Sequence, residues 1–253
     1  MGCGDSQELG ADIVLDKPSG PIDNTPYEGM EKIVNKKAWE KFAEYHHQAL
    51  NGQGDWTEDD KELKDLTKIE NLKSGDQYLG QVNTKGKLPD GFGVIAYKTT
   101  QSIYQGYFEK GVPHGNGILF HGKGADAGVV QIGAWKSGKA TGNSKWEYPK
   151  GKTFIGELKN GVREGKGVED LGNGEKYEGD FKKGKREGWG VLTKKDGSIF
   201  EGEFKADQRS GVIKVTDKTG KESIKSFLKD GPGKKGTDED WQKAYDKAHP
   251  AQE

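Results

Sequence analysis

The sequence predicts a mainly β protein: an elongated, twisted antiparallel ribbon of stacked β-hairpin repeats, with N-terminal helices and a short C-terminal helix. Three observations predict it. The segment YEGDFKKGKREGWG at residues 177–190 returns as FEGEFKADQRSGVI from Phe200 and as FIGELKNGVREGKG from Phe154, one period of 23 residues (200 − 177) on either side. Within each copy, rings and glycines alternate with charged residues at a period of two, the spacing of one strand face. Turn residues then follow at fixed offsets, as KKGKRE, as KNGVRE and as Asp196-Gly197.

The chain opens with MGCGDS, in which Gly2 and Ser6 fit the N-myristoylation pattern. Its one cysteine, Cys3, is placed for S-palmitoylation, and two acyl chains anchor stably where one does not. The polar, acidic stretch that follows makes residues 1–27 an acylated tether. Residues 28–77 read as a helical cap. Met30, Ile33, Val34, Ala38, Phe42, Ala43, Tyr45 and Leu50 recur at helical spacing, and Asn51-Gly52 ends that helix. Thr57, with Asp60 three residues on, starts a second helix carrying Leu63, Leu66 and Ile69. Both are expected to pack over the first edge of the ribbon, because an open strand edge invites aggregation.

Residues 78–231 read as the ribbon. Tyr177, Gly179 and Phe181 should share a buried face, with Glu178 and Asp180 facing water. After a turn at Gly184, Gly188, Gly190 and Leu192 should share one face of the return strand. Further copies start at Tyr78, Tyr104 and Gln131, and a half copy at Ser223, giving about six and a half. Three copies are irregular. The first carries two extra residues before Gly91. Gln131 stands for the leading ring and Ser144 for the last glycine of one, and Asp207 and Ile213 stand for glycines of another. Glycines recurring at one offset on a buried face leave room for neighbouring rings, so the hairpins must stack to bury it. Residues 232–253 read as a linker, GPGKKG, and an amphipathic helix capped by Thr237 and stopped at His249-Pro250. Its Trp241 and Tyr245 are expected to dock around Phe227 and cover the last edge.

With 30% hydrophobic and 32% charged residues the chain could resemble a disordered one, but a sheet burying one face needs few large apolar residues. Net charge is −1 overall, yet residues 1–77 hold 9 Lys and Arg against 17 Asp and Glu, and residues 78–231 hold 27 against 19. The repeats are basic and their flanks acidic. Lys159, Arg163 and Lys166 in one repeat, with Lys182, Lys183, Lys185 and Arg186 in the next, form a row of positive tips suited to anionic lipid or to a protein partner.

Other motifs fail on context. Gly122–Ala127 fits G-x-G-x-x-[GA] but precedes no helix, and Gly151-Lys152-Thr153 lacks the first glycine of a P-loop. His46-His47 face different ways on a helix, and His114 reads as a turn residue. No catalytic constellation, metal set or cofactor site emerges, so the expectation is a protein that is not an enzyme and takes no cofactor. Basic and acidic residues alternate along the strands, which argues against nucleic acid.

The pattern Y-x-G-x-[FW]-x-x-G-x-x-x-G-x-G, complete from Tyr177 to Gly190, resembles the MORN repeat (membrane occupation and recognition nexus). The resemblance implies a non-enzymatic scaffold that binds cytoskeletal or ciliary proteins at the cytoplasmic face of a plasma or ciliary membrane, or at the cell cortex. The alternative it implies is a structural component of a ciliary or flagellar axoneme, such as a radial-spoke protein, without direct lipid contact. A homodimer is left open.

Overall fold

A computed structural model describes residues 30–32, 34, 36–42, 67–69, 72, 74–83, 88–228 and 231–250. The lipidation candidates Gly2 and Cys3, the Asn51-Gly52 stop, the Thr57 cap and His46-His47 lie outside them. The fold is mainly β, with antiparallel strands in an open sheet and a helix toward each end of the chain. The chain divides into two compact units, one up to Pro149 and one from Lys150.

In the unit up to Pro149, the strands follow one another in chain order, each antiparallel to the next. They are β1 (Thr67–Ile69), β2 (Gln77–Val82), β3 (Pro89–Tyr97), β4 (Ser102–Glu109), β5 (Val112–Phe120), β6 (Val130–Lys136) and β7 (Lys139–Glu147). The sheet therefore starts earlier than the sequence suggests. Ile69, read as helical, sits in β1 opposite Tyr78.

A helix, α1 (residues 36–42), and the turn before it bury a stripe of Met30, Val34, Ala38 and Phe42, four residues apart in each step. It lies on a sheet face, packing with Leu79, Val94, Ala96, Ile103, Ile118, Phe120 and Val130, and Phe42 meets Phe120 edge-on at 5.8 Å. The face offers far more apolar area than an edge strand does, and burial scales with that area.

The unit from Lys150 has the same plan, with β8 (Thr153–Lys159), β9 (Val162–Asp170), β10 (Lys176–Lys182), β11 (Lys185–Thr193), β12 (Ile199–Lys205), β13 (Gln208–Thr216), β14 (Glu222–Leu228) and β15 (Gly231–Lys235). The GPGKK stretch is thus a strand and not a linker: backbone pairing with β14 outweighs its poor strand composition. Helix α2 (Asp238–Ala248) follows, with Thr237 as its N-cap, as the sequence predicts, and Asp240 completing a reciprocal capping box.

One device recurs in both units. Glycines pair with glycines across the strands: Gly80–Gly93–Gly106–Gly117–Gly133 in one unit and Gly156–Gly167–Gly179–Gly190–Gly202 in the other. The leading ring of each regular repeat lies flat on this row. A Cβ on Gly190 would clash with the Tyr177 ring, one on Gly117 with Tyr104, and one on Gly93 with Tyr78. The rings then interlock edge-to-face between repeats, Tyr78 with Phe108 at 5.2 Å and Tyr177 with Phe204 at 5.0 Å.

The irregular copies follow the same logic in reverse. Ser144 faces Gly133 and Ile213 faces Gly202, so the lane is filled, and the residue in the leading position is Gln131 in one copy and a half-buried Phe200 in the other.

The register departs from simple alternation once in each hairpin, as the pair β10–β11 shows. Gly179 pairs with Gly190 but Phe181 pairs with Arg186, so three residues bulge opposite Asp180. Gly188, at φ 92°, is the exposed bulge residue and does not share the buried face of Gly190 and Leu192. Asp180 is half-buried because its carboxylate accepts the Trp189 amide at 3.1 Å. Tyr177 and Phe181 are buried and Glu178 is exposed, as expected.

Candidate functional site

Each repeat offers a turn edge and two sheet faces. The tight turns carry two successive residues with positive φ, Asn160-Gly161, Lys183-Gly184 and Ala206-Asp207 in the second unit. That is the geometry whose twist matches paired strands. The Asp196-Gly197 return is a longer loop, closed by Gly197 N–H donating to the Lys194 carbonyl and Lys194 N–H to the Ser198 carbonyl.

Successive tight turns are clasped together. The Gly184 N–H donates to the Arg163 carbonyl at 3.0 Å, and the Lys183 N–H to the Glu164 carboxylate at 2.9 Å. The Arg163 guanidinium donates back to the Gly184 carbonyl at 2.6 Å. One repeat on, Asp207 N–H meets the Arg186 carbonyl, Ala206 N–H meets Glu187, and Arg186 donates to the Asp207 carbonyl. The R-E pair after each turn is therefore a connector. The sequence alone places its arginines in a row of positive tips. Its recurrence at a fixed offset from the turn was the signal available.

The row of seven cations consequently splits. Arg163 is also held by Glu169 at 2.6 Å, Arg186 by Asp207 at 3.5 Å, and Lys166 by Asp180 at 2.7 Å. Lys159, Lys182, Lys183 and Lys185 are exposed, and their side chains form no ion pair among the described residues. Lys182 and Lys185 pair across the base of their hairpin, and Lys159 holds the matching place in the preceding one.

On the ring face, Arg163 lies over Phe154 and Phe181 at 5.3 and 5.0 Å, and Arg186 over Tyr177 at 5.4 Å. Buried Glu169 takes both Arg163 and Lys152, the latter at 2.8 Å. Burial pushes its pKa up, but these two cations outweigh that and hold it below the ordinary carboxylate value. Burial also raises the Tyr177 phenol, which stays protonated and donates to the Asp180 carbonyl at 3.1 Å.

On the other face, α2 does not reach Phe227. Trp241 and Tyr245 pack on Trp189 at 5.9 and 5.5 Å, His249 adds a third contact at 5.3 Å, and the Trp241 indole N–H donates to the Glu201 carbonyl. Trp189 projects from the bulged strand and is the one large ring the helix can cover. His114 stands in β5 against Glu109 at 3.1 Å. Among the described residues no group of His, Cys, Asp and Glu could hold a metal, and no helix is long and apolar enough to cross a membrane.

The comparisons with known proteins agree with the repeat. The family model described as the MORN repeat matches residues 104–124, 154–176, 177–199 and 200–212. A comparison with curated proteins gives no match. Among solved structures, the chain is similar to the TCP domain of SAS-4 from Drosophila melanogaster, solved with a proline-rich motif of Ana2, at 14% identity and a TM-score of 0.37, covering 63% of this chain and 88% of that one. It is also similar to the TCP10 domain of Danio rerio CPAP bound to a STIL peptide, at 14% identity and a TM-score of 0.24, covering 68% and 83%. Likenesses at these scores carry no argument here.

Proposed function

Because the chain is a MORN-repeat protein, we propose that it is a non-enzymatic scaffold that binds protein partners at the cytoplasmic face of a plasma or ciliary membrane, or at the cell cortex. The repeats support a binding role over a catalytic one, since Glu164, Glu187, Arg163 and Arg186 are engaged in clasping turns. One observation carries the membrane side of the reading. Lys159, Lys182, Lys183 and Lys185 stand exposed along one turn edge, while Arg163, Lys166 and Arg186 beside them are neutralised internally. Each such cation near an anionic leaflet contributes about 1 kcal/mol, so four reinforce acyl chains on Gly2 and Cys3.

The test has two arms. Unacylated protein should sediment with anionic vesicles at physiological salt, and changing the four lysines to Gln should abolish this. In cells, Gly2→Ala should move the protein from the membrane fraction to the soluble one. Retention of that variant in a detergent-resistant cytoskeletal fraction, with no vesicle binding by the wild type, would favour the axonemal alternative.

A further inference from the structure

Three Asn-Gly pairs lie among the described residues, and the fold holds each differently. Asn116 and Gly117 sit inside β5, paired with Ala134 and Gly133, and the Tyr104 ring fills the space beside Gly117. Asn160 and Gly161 form the tight turn between β8 and β9, both at positive φ, closed by the pair Lys159–Val162. Asn173 and Gly174 stand instead in the loop beyond the last pair of β9 and β10, Asp170–Lys176, and both are exposed. The chain can rotate there without parting any strand pair.

The neck of that loop is fixed. Leu171 N–H donates to the Glu175 carbonyl at 2.9 Å, Gly172 N–H to the Asp170 carboxylate at 2.8 Å, and Lys194 holds the Glu175 carboxylate at 2.7 Å. At the tip, Glu175 N–H donates to Asn173 Oδ1 at 3.0 Å, which folds the side-chain amide back along Gly174. The Lys195 side chain lies beside Gly174, its Cγ 3.1 Å from the point a Cβ there would occupy.

We infer that Asn173-Gly174 is a site of self-modification, where the Gly174 nitrogen closes onto the Asn173 side chain and water then converts that residue to aspartate or isoaspartate. The nitrogen attacks Cγ, so that the N–Cγ bond forms, the Cγ–Nδ2 bond breaks, and the amide proton leaves with ammonia. Water opens the cyclic imide, its hydroxyl going to one carbonyl carbon and its proton back to the nitrogen. Opening at Cγ gives aspartate. Opening at the backbone carbonyl gives isoaspartate, with the main chain rerouted through Cβ and Cγ.

The loop supplies what this reaction needs. Nucleophile and electrophile are adjacent and already folded together, which removes most of the ordering cost. Negative charge develops on Oδ1 as the nitrogen adds, and Glu175 N–H already donates to that oxygen, with a cationic side chain alongside. Gly174 carries no side chain to obstruct the approach. At residues 116 and 160 the same ring closure requires a peptide to leave a paired ladder or a tight turn. Either product makes a neutral loop tip anionic, between the Lys150–Lys152 backbone that abuts Gly172 and the Lys195 side chain that abuts Gly174. This goes beyond the scaffold reading and does not rest on it.

The test incubates the full chain in mildly alkaline buffer, native and in urea, and maps its peptides by mass spectrometry, separating asparagine, aspartate and isoaspartate forms. In the native chain residue 173 should convert faster than residues 116 and 160 by about tenfold or more, the scale set by positioning and one oxyanion donor. In urea the three rates should converge, because only the fold distinguishes them. Lys195→Gln, an exposed change that leaves the loop bonds in place, should slow native conversion at residue 173 and leave the rate in urea unchanged. Native conversion at residue 116 or 160 as fast as at 173 overturns the site. So does an intact Asn173 after an incubation that converts it in urea. An unchanged native rate in Lys195→Gln overturns the part assigned to the lysine.

Discussion

Gly190 illustrates what a single residue decides in this fold. It has an unremarkable backbone conformation, so its requirement is spatial: Tyr177 occupies the volume that any side chain would need. Gly190→Ala should therefore lower stability by about 1–3 kcal/mol in a urea titration, the usual cost of overpacking. Gly197, at φ 84° with nothing within 4 Å, should respond through backbone strain alone. Glu169 carries a second prediction. Its position is apolar in other copies (Ile95, Leu119 and Leu192), yet here it is a buried carboxylate whose pKa is lowered by Lys152 and Arg163 against the upward push of burial. A group with a depressed folded pKa stabilises fully above its unfolded value of about 4.3 and loses that contribution as pH falls through the folded value. Glu169→Leu should cost about 1–3 kcal/mol near pH 7, and the gap from wild type should close in titrations taken toward pH 3.

At the scale of the element, the sequence is informative where periodicity governs and silent where tertiary packing does. Tyr177 and Phe181 are buried with Glu178 exposed because alternation is a property of any strand. The bulge at Gly188 escapes that count, since a glycine two residues from another glycine reads as regular alternation whether or not φ is positive. The helices behave similarly. An amphipathic stripe states that a face will be buried but not against what, so both were expected at edges and both lie on sheet faces. Gly231–Lys235 looked like a linker because its residues have low strand propensity, while its pairing is supplied by a neighbouring strand that propensity does not register. The arginine–glutamate clasp was hidden for another reason: charge beside a turn is the normal signature of solvation. Helix α2 yields the element-scale prediction. An eleven-residue helix is marginal alone, so its rings on Trp189 should hold it in place. Ending the chain at Gly236 should lower the melting temperature and red-shift Trp189 fluorescence, and unchanged emission would show that the helix does not cover it.

Across the whole molecule, the two units close their ring faces by different chemistry. Opposite the second aromatic or aliphatic residue of each repeat, the unit up to Pro149 places Pro89, Pro113 and Ala140, all buried. The unit from Lys150 places Arg163, Arg186 and Arg209. Apolar roofs are indifferent to ionic strength, whereas partly exposed ion pairs weaken as the Debye length falls to about 3 Å at 1 M salt. Amide exchange read by mass spectrometry should therefore accelerate several-fold in β8–β13 between low salt and 1 M salt, with β2–β7 little changed. Equal responses in both units would mean that the guanidinium contacts add nothing to local stability.

The glycine lane has a consequence for how such a chain can change its length. A ring needs a vacant site in its own hairpin, and each vacancy abuts the next, so a cut-and-paste of one complete hairpin preserves every fit. A fraction of a hairpin preserves none. Ser144 and Ile213 then act as punctuation. Each occupies the lane in the last full hairpin of its unit, opposite Gly133 and Gly202, where the leading residue is Gln131 or the half-buried Phe200.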